Sequence, residues 1–449
     1  MSFYVKNNNI ILLIFLVFIY LISLSSLYFV SYGDYIISFS FVLAISLIFT
    51  FGILNRDRIF SLKYIYIYGF VLFIGGRFIA YLLNENIDVF KFDFGLVYNL
   101  DASVDKFYIF TLVYGSIFFF IFANVINRNN FIDLGVRLFL FNKNLIYIVT
   151  LFLCCFVLKD NLANIFRSLS EGYLSLYSAQ SEQYSTPLSL IISAVLISMI
   201  GLLYIENSHQ MRFKVIIIFF IFVQLLTIIT GSRGGFVSVI LLSGWLFLRE
   251  KRFSLKSVFL LTMFAISLVI FVNMLLSFSS RSSEEGSVLE IITNNLNNQG
   301  ISLMVFDLST RTQDYPFPAF LKTIIPGSQL FFHYFIGDVQ VYDVSFPHYL
   351  TFISAPDLYD EGYGFGWALL SDFYVFSFSN LALFFILNFL WGRLIYNLDN
   401  YDRKSYYKGL SFIFATQIFM VSRASISTLI ACSIIYSIFY LIFFRARKK

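Results

Sequence analysis

Apolar runs of about twenty residues recur along this chain, beginning with Ile10–Ser31. A run of that length, coiled as a helix, crosses the roughly 30 Å hydrocarbon core of a bilayer. In hydrocarbon the backbone N–H and C=O groups find no water, so each run must satisfy them internally and fold as a helix. Ile10–Ser31 follows a short, weakly charged start holding Lys6 and is too long for a signal-peptide core, so it reads as an uncleaved first span. The pattern continues with Tyr35–Leu54, Tyr64–Leu83, Phe107–Ile126, Leu145–Leu158, Leu188–Ile205, Val215–Ile229, Phe236–Leu248 and Ser257–Phe278. Leu370–Ile395, Gly409–Val421 and Ala424–Phe444 complete twelve spans, the fifth being short, tilted or prolonged toward Asn164. A soluble fold could not hide a 59% hydrophobic, 20% aromatic chain of 449 residues, so lipid is the solvent for most of it. The expected class is all-α, a polytopic integral membrane protein.

One stretch breaks the pattern. Residues 279–366 hold five of the six prolines and two amphipathic pieces, Val288–Leu296 and Ile301–Leu308. So many aromatic residues argue against a disordered loop, and the stretch reads as a folded external subdomain. The expected division is therefore helices one to nine over 1–278, the loop subdomain over 279–366, and helices ten to twelve with a basic tail over 367–449.

Charge sets the orientation. With both termini on one side, 21 of the 31 Lys and Arg fall on that side, including Arg56, Arg58, Arg249, Lys251, Arg252 and the cations of the C-terminal tail. Only six of the 26 acids do so: Asp57, Asp133, Glu206, Glu250, Asp399 and Asp402. A cation-rich side is the cytoplasmic one, so both termini are expected there and the large loop outside.

Composition also excludes functions. No long basic run with interleaved aromatics is present, so nucleic acid is not an expected partner. Cys154, Cys155 and Cys432 fall inside apolar runs and cannot staple a loop. The histidines (His209, His333, His348) are scattered, so neither a metal site nor any other cofactor is expected.

The cations left on the outer side are more telling. Thr230-Gly231-Ser232-Arg233-Gly234-Gly235 joins two apolar runs in a tight turn. Glycines let the backbone bend sharply and approach a ligand, while the arginine offers a planar donor fork suited to phosphate. Val421-Ser422-Arg423-Ala424-Ser425 repeats the arrangement, and Arg77 lies in the outer half of the third span. Charges at such depth are costly and point to function. With Arg311 of the large loop, these arginines could clamp an anionic, lipid-linked substrate.

The chain resembles the Wzy-type O-antigen polymerases, the repeat-unit polymerases of bacterial surface polysaccharides. The resemblance rests on the Gly231–Gly235 turn, on the long loop with Ile325-Pro326-Gly327, and on the loop exit Glu361-Gly362-Tyr363-Gly364-Phe365-Gly366-Trp367 leading to Ser371-Asp372-Phe373-Tyr374. Asp372 stands where family members commonly carry Glu. The resemblance implies glycosyl transfer at the outer face of the bacterial inner membrane. A glycan on undecaprenyl diphosphate would pass to a new lipid-linked repeat unit, alongside a flippase and a chain-length regulator as partner proteins. It implies that Arg233, Arg423, Arg77 and Arg311, with Gly231, Ser232 and Gly234, face the diphosphate. It also implies a base among Glu361, Asp372, His333 and His348. An O-antigen ligase or a lipid-linked oligosaccharide flippase are the alternatives; a flippase should carry charges deep in several spans.

Overall fold

A computed structural model describes residues 7–93, 97–125, 137–139, 143–171, 187–207, 210–230, 233–276, 286–337, 339–400 and 405–446, with Arg233 and His333 described by backbone alone. Among them, six helices are long and apolar enough to cross a membrane: Asn8–Leu27, Val30–Asn55, Ser103–Val125, Asn144–Glu171, Met211–Ile229 and Leu381–Asp399. Shorter apolar helices cover Ile191–Ile205, Gly234–Phe247, Leu255–Phe271 and Ser427–Phe443. Among the described residues, strand is confined to two short antiparallel pairs. The expected helical membrane protein is thus observed.

The helical elements, in order, are α1 (Asn7–Ser23), α2 (Gly33–Asn55), α3 (Leu62–Phe73), α4 (Gly76–Leu83), α5 (Ser103–Val125), α6 (Lys143–Glu171) and α7 (Pro187–Asn207). They continue with α8 (Met211–Leu225), α9 (Arg233–Phe247) and α10 (Leu255–Leu276). The large loop supplies α11 (Val288–Gln299), α12 (Ser302–Arg311), α13 (Phe317–Ile324), α14 (Ser328–Ile336), α15 (Phe346–Ser354) and α16 (Pro356–Asp360). Last come α17 (Leu369–Phe376), α18 (Leu381–Asp399), α19 (Ser405–Gln417) and α20 (Ser427–Phe443).

Several expected boundaries are corrected. The third span is broken: α3 and α4 meet at 57° around Ile74-Gly75. A side chain at Gly75 would strike the Phe41 ring at 2.3 Å, so the bend is packed tightly against α2. The fifth span is not short, because α6 runs unbroken to Glu171 and takes Lys159 and Arg167 with it. The tenth is two helices, since Phe378 and Ser379 adopt left-handed φ values of 50° and 61° between α17 and α18. Such a conformation is costly for non-glycine residues and ends a helix.

Parts of the large loop pack closely against other helices. Nearly every side chain of α12 from Ser302 to Ser309 is buried, Asp307 included. α11 lies against α4 so closely that a Cβ on Gly76 would sit 2.5 Å from the Leu296 carbonyl oxygen. Its start is fixed by a capping box in which Ser287 and Glu290 exchange hydrogen bonds with each other's backbone N–H, which draws the Glu290 carboxyl down from its usual range.

Two ends of the bundle are distinguished by their contacts. At one, buried Asp399 accepts from the Leu62 and Lys63 N–H groups (2.8 and 3.0 Å) and caps α3, while Arg249 donates to the Asp399 carbonyl. Arg58 bridges to Arg252, and Arg137–Phe139 pairs with Phe444–Ala446. These are the loops that the charge pattern assigns to the cation-rich side. At the opposite end Lys106 pairs with Asp34 at 2.8 Å, Arg311 with Asp105 at 3.4 Å, and Arg423 with Gln299.

Candidate active site

The two arginine hairpins converge. Met420–Arg423 forms a 3-10 turn between α19 and α20, and α9 begins at Arg233. A Cβ on Gly234 would lie 2.6 Å from the Met420 sulfur and terminal methyl, so the first turn of α9 seats against the Met420 side chain. Gly231 and Ser232 lie outside the described residues, as does the Arg233 side chain.

Arg423 donates through Nη1 to the Gln299 side-chain oxygen, at the end of α11, and its guanidinium carbon lies 5.7 Å from the Phe73 ring centroid. Phe73 ends α3 beside the break, and it also packs edge-on against Phe419 at 5.2 Å. The broken span, α11 and the second hairpin therefore meet at Arg423. Arg77 lies just beyond, 4% exposed, with its side chain against Gly300. Its Nη2 donates to the carbonyls of Asp88 (3.3 Å) and Lys91 (2.7 Å), and the group stacks 4.1 Å from the Phe92 ring. These contacts tie α4 to the loop that follows it.

Asp372 holds the second hairpin in place. Trp367 Nε1–H donates to Oδ1 at 2.7 Å, the Ser425 hydroxyl donates to the same oxygen at 3.3 Å, and the Ile426 N–H donates to Oδ2 at 2.6 Å. The residue is completely buried, so each of these bonds acts without competition from water. Trp367 in turn stacks on Phe346 of α15, at 5.7 Å between ring centres. One carboxylate thus joins the loop exit, the α15 region and the turn that carries Arg423.

The other expected bases lie elsewhere along the loop. Glu361 is exposed at the end of α16, and His348 of α15 meets Tyr359 edge-on at 5.9 Å. The His333 side chain lies outside the described residues. Arg311 is answered by two carboxylates, Asp307 at 3.1 Å and Asp105 at 3.4 Å. The Tyr98 hydroxyl also donates to Asp307. Burial pushes the Asp307 carboxyl up, while Tyr98 and Arg311 pull against that shift.

A cavity of about 250 Å³ opens beside the hairpins. Gln224, Ser238, Thr416, Gln417, Ser425 and Thr428 interrupt a wall formed mostly by apolar residues such as Phe220 and Met420. Ser425 is common to this cavity and to the Asp372 network. Among the described residues no group of three His, Cys, Asp or Glu side chains is placed to hold a metal ion.

Gln299 and Asp307 were not singled out in the sequence, and Trp367 and Ser425 stood there only as parts of motifs, without a role. Gln299 ends an amphipathic run among asparagines, and Trp367 lies just before α17, outside any helix, so neither carried a periodic signal.

No curated protein and no solved structure matches the chain. Residues 8–448 match the family model for the O-antigen polysaccharide polymerase Wzy, nearly end to end. By that match, which covers nearly the whole chain, the protein belongs to the O-antigen polysaccharide polymerase Wzy family.

Proposed function

We propose that this protein joins undecaprenyl-diphosphate-linked oligosaccharide repeat units at the periplasmic face of the bacterial inner membrane, and that the paired arginine turns receive the diphosphate. The observation that carries the reading is the seating of Gly234 on Met420, which sets the start of α9 beside the turn of Arg423. Backbone N–H groups at the start of a helix favour an anion, and guanidinium forks add charge-assisted bonds.

In the proposed transfer, the acceptor sugar's hydroxyl oxygen forms a bond to the anomeric carbon of the donor glycan. The bond from that carbon to the diphosphate oxygen breaks, and its electron pair leaves with the diphosphate. Arg233 and Arg423 stabilise the charge that develops there. The hydroxyl proton goes to a base of the loop, with Glu361, His348 and His333 as candidates. We assign Asp372 to positioning the Arg423 turn, because each of its oxygens is already engaged by hairpin or loop donors. Arg77 and Arg311 hold neighbouring elements together in this reading.

The topology completes it. In this reading the six long spans, the broken α3–α4 pair, the four shorter apolar helices and α19 are counted as twelve crossings, with both termini cytoplasmic. The contacts among loops 56–63, 249–256 and 393–400 support a shared side for them. Against a flippase, the third span's arginine is engaged by carbonyls and does not face an open central passage.

The test is polysaccharide chain length at matched membrane abundance. Arg423→Lys and Arg233→Lys should each give single or very short repeats, since lysine keeps the charge but loses the fork. Normal ladders from both variants would overturn the arginine assignment; loss of all surface glycan with intact polymer on the lipid carrier would indicate a ligase.

A further inference from the structure

The segment Phe317–Ile336, covering α13 and α14, has five phenylalanines and Lys322 as its single Lys, Arg, Asp or Glu. A stretch of that composition cannot stand in water as an ordinary loop. In the fold it nevertheless turns an apolar face outward. Phe331 is 56% exposed, Phe335 76% and Tyr334 79%, with Ile324, Ile325 and Leu330 beside them. Phe331 and Phe335 lie one helical turn apart with ring centres 4.6 Å from each other, so they form a single ridge.

The location of this ridge says what covers it. α13 packs on α20, whose membrane helix starts at Ser427. Phe320 of α13 stacks on Phe378 at 5.9 Å, and Phe378 is 78% exposed just before α18 begins at Leu381. Along α18 the exposed residues Leu383, Ile386, Leu390 and Leu394 form one stripe facing away from the bundle. In a membrane helix that stripe is the lipid-facing side. The α13–α14 face is therefore continuous, through Phe378, with a surface that lipid already covers. Aromatic residues at the mouth of a span belong to the headgroup boundary, where an amphipathic helix lies flat.

We propose that α14 is a membrane-surface helix that embeds its Phe331–Phe335 ridge in the outer leaflet beside α18 and α20. The helix is also set apart by its ends. Gly327 precedes it with φ of 90° and Gly337 follows with φ of 100°, and no atom stands within 4 Å of a Cβ built at either. Left-handed glycines at both ends let α14 take its angle from the bilayer surface while the rest of the loop stays packed. This inference depends on the membrane reading of the chain and not on the transfer chemistry, so it stands or falls independently of the arginine assignment.

The test uses the full-length protein in nanodiscs of phosphatidylethanolamine and phosphatidylglycerol. Phe335→Trp is a mild aromatic exchange, and the signal of the buried Trp245, Trp367 and Trp391 is subtracted with the unsubstituted protein. Nitroxide groups attached near the lipid headgroup should remove most of the added emission, while aqueous iodide should remove little. Tyr363→Trp, on the exposed loop exit, should show the reverse. Iodide quenching at position 335 as strong as at 363 would overturn the proposal. Shielding from both quenchers, with two chains per disc, would overturn it in favour of a second copy as the covering surface.

Discussion

Replacing Asp372 by asparagine separates a positioning role from a proton-accepting one. The carboxylate accepts three hydrogen bonds, two at Oδ1 and one at Oδ2. An amide of the same shape offers one oxygen. If that oxygen keeps Trp367 and Ser425, the NH2 group faces the Ile426 N–H, a donor against a donor at what was 2.6 Å. If it turns over, Trp367 and Ser425 lose their acceptor instead. Either way at least one buried donor goes unpaired, at a cost of about 1–3 kcal/mol. The strain falls on Ser425-Ile426, two residues beyond Arg423. Where it displaces the guanidinium, transfer slows by about five- to a hundredfold, at roughly 1.4 kcal/mol per tenfold.

The companions decide the case. Trp367→Phe keeps the stack on Phe346 and removes one donor, so it should give a partial loss of the same kind. Ser425→Ala should give a smaller one, its bond being the longest of the three at 3.3 Å. The assay is transfer between purified lipid-linked repeat units at saturating substrate, with ladder length as a second readout. Complete loss in Asp372→Asn combined with full activity in both companions would mean that Asp372 takes the proton, and the positioning argument would fail.

Three further outcomes follow. Gly392→Ala should lower the melting temperature in detergent, because its Cβ would lie 2.5 Å from the Phe120 carbonyl where α18 crosses α5, an overpacking worth about 1–3 kcal/mol; an unchanged melting temperature would show that the crossing can widen freely. Burial raises the Asp307 carboxyl, and an acid raised in the folded state favours folding below its ordinary range and loses that contribution as pH climbs through the raised value. The melting temperature of the native protein should therefore fall relative to Asp307→Asn as pH rises from about 4, and a constant difference would contradict the assignment. Activity should survive exhaustive chelation if arginines alone receive the diphosphate; a loss restored by one divalent ion would contradict that.

The membrane architecture was legible because its cause is local. Each long apolar run must close its own backbone hydrogen bonds, and Ile10–Ser31 or Phe107–Ile126 report this without reference to neighbours. Where the outcome depended on packing, the sequence was silent. The break of the third span turns on Gly75 meeting Phe41, and the break before α18 on two left-handed residues, Phe378 and Ser379, neither of them glycine. α11 and α12 carried amphipathic periodicity and polar residues suited to a solvated layer, yet α12 is buried among α17 and its neighbours. Its Asp307 is tolerated there because Arg311 and Tyr98 answer it, partners one turn and 209 residues away.

The same distinction runs through the site. A glycine-flanked arginine between two apolar runs is visible as a motif, because the cost of placing that charge is a property of the residue and its depth. What the arginine leans on is not. Arg423 reaches Gln299 across 124 residues, and Asp372 reaches Ser425 across 53. Asp372 shows what residue type alone leaves out. An outward-side carboxylate next to an aromatic motif is a reasonable base on composition, but a base needs an oxygen turned toward substrate, and both oxygens here are turned toward the protein. Glu361, exposed, and His348, half-buried, are candidate bases in the proposed transfer. Whichever of them serves must approach the reacting hydroxyl through the loop that α15, Trp367 and Asp372 hold against the hairpin.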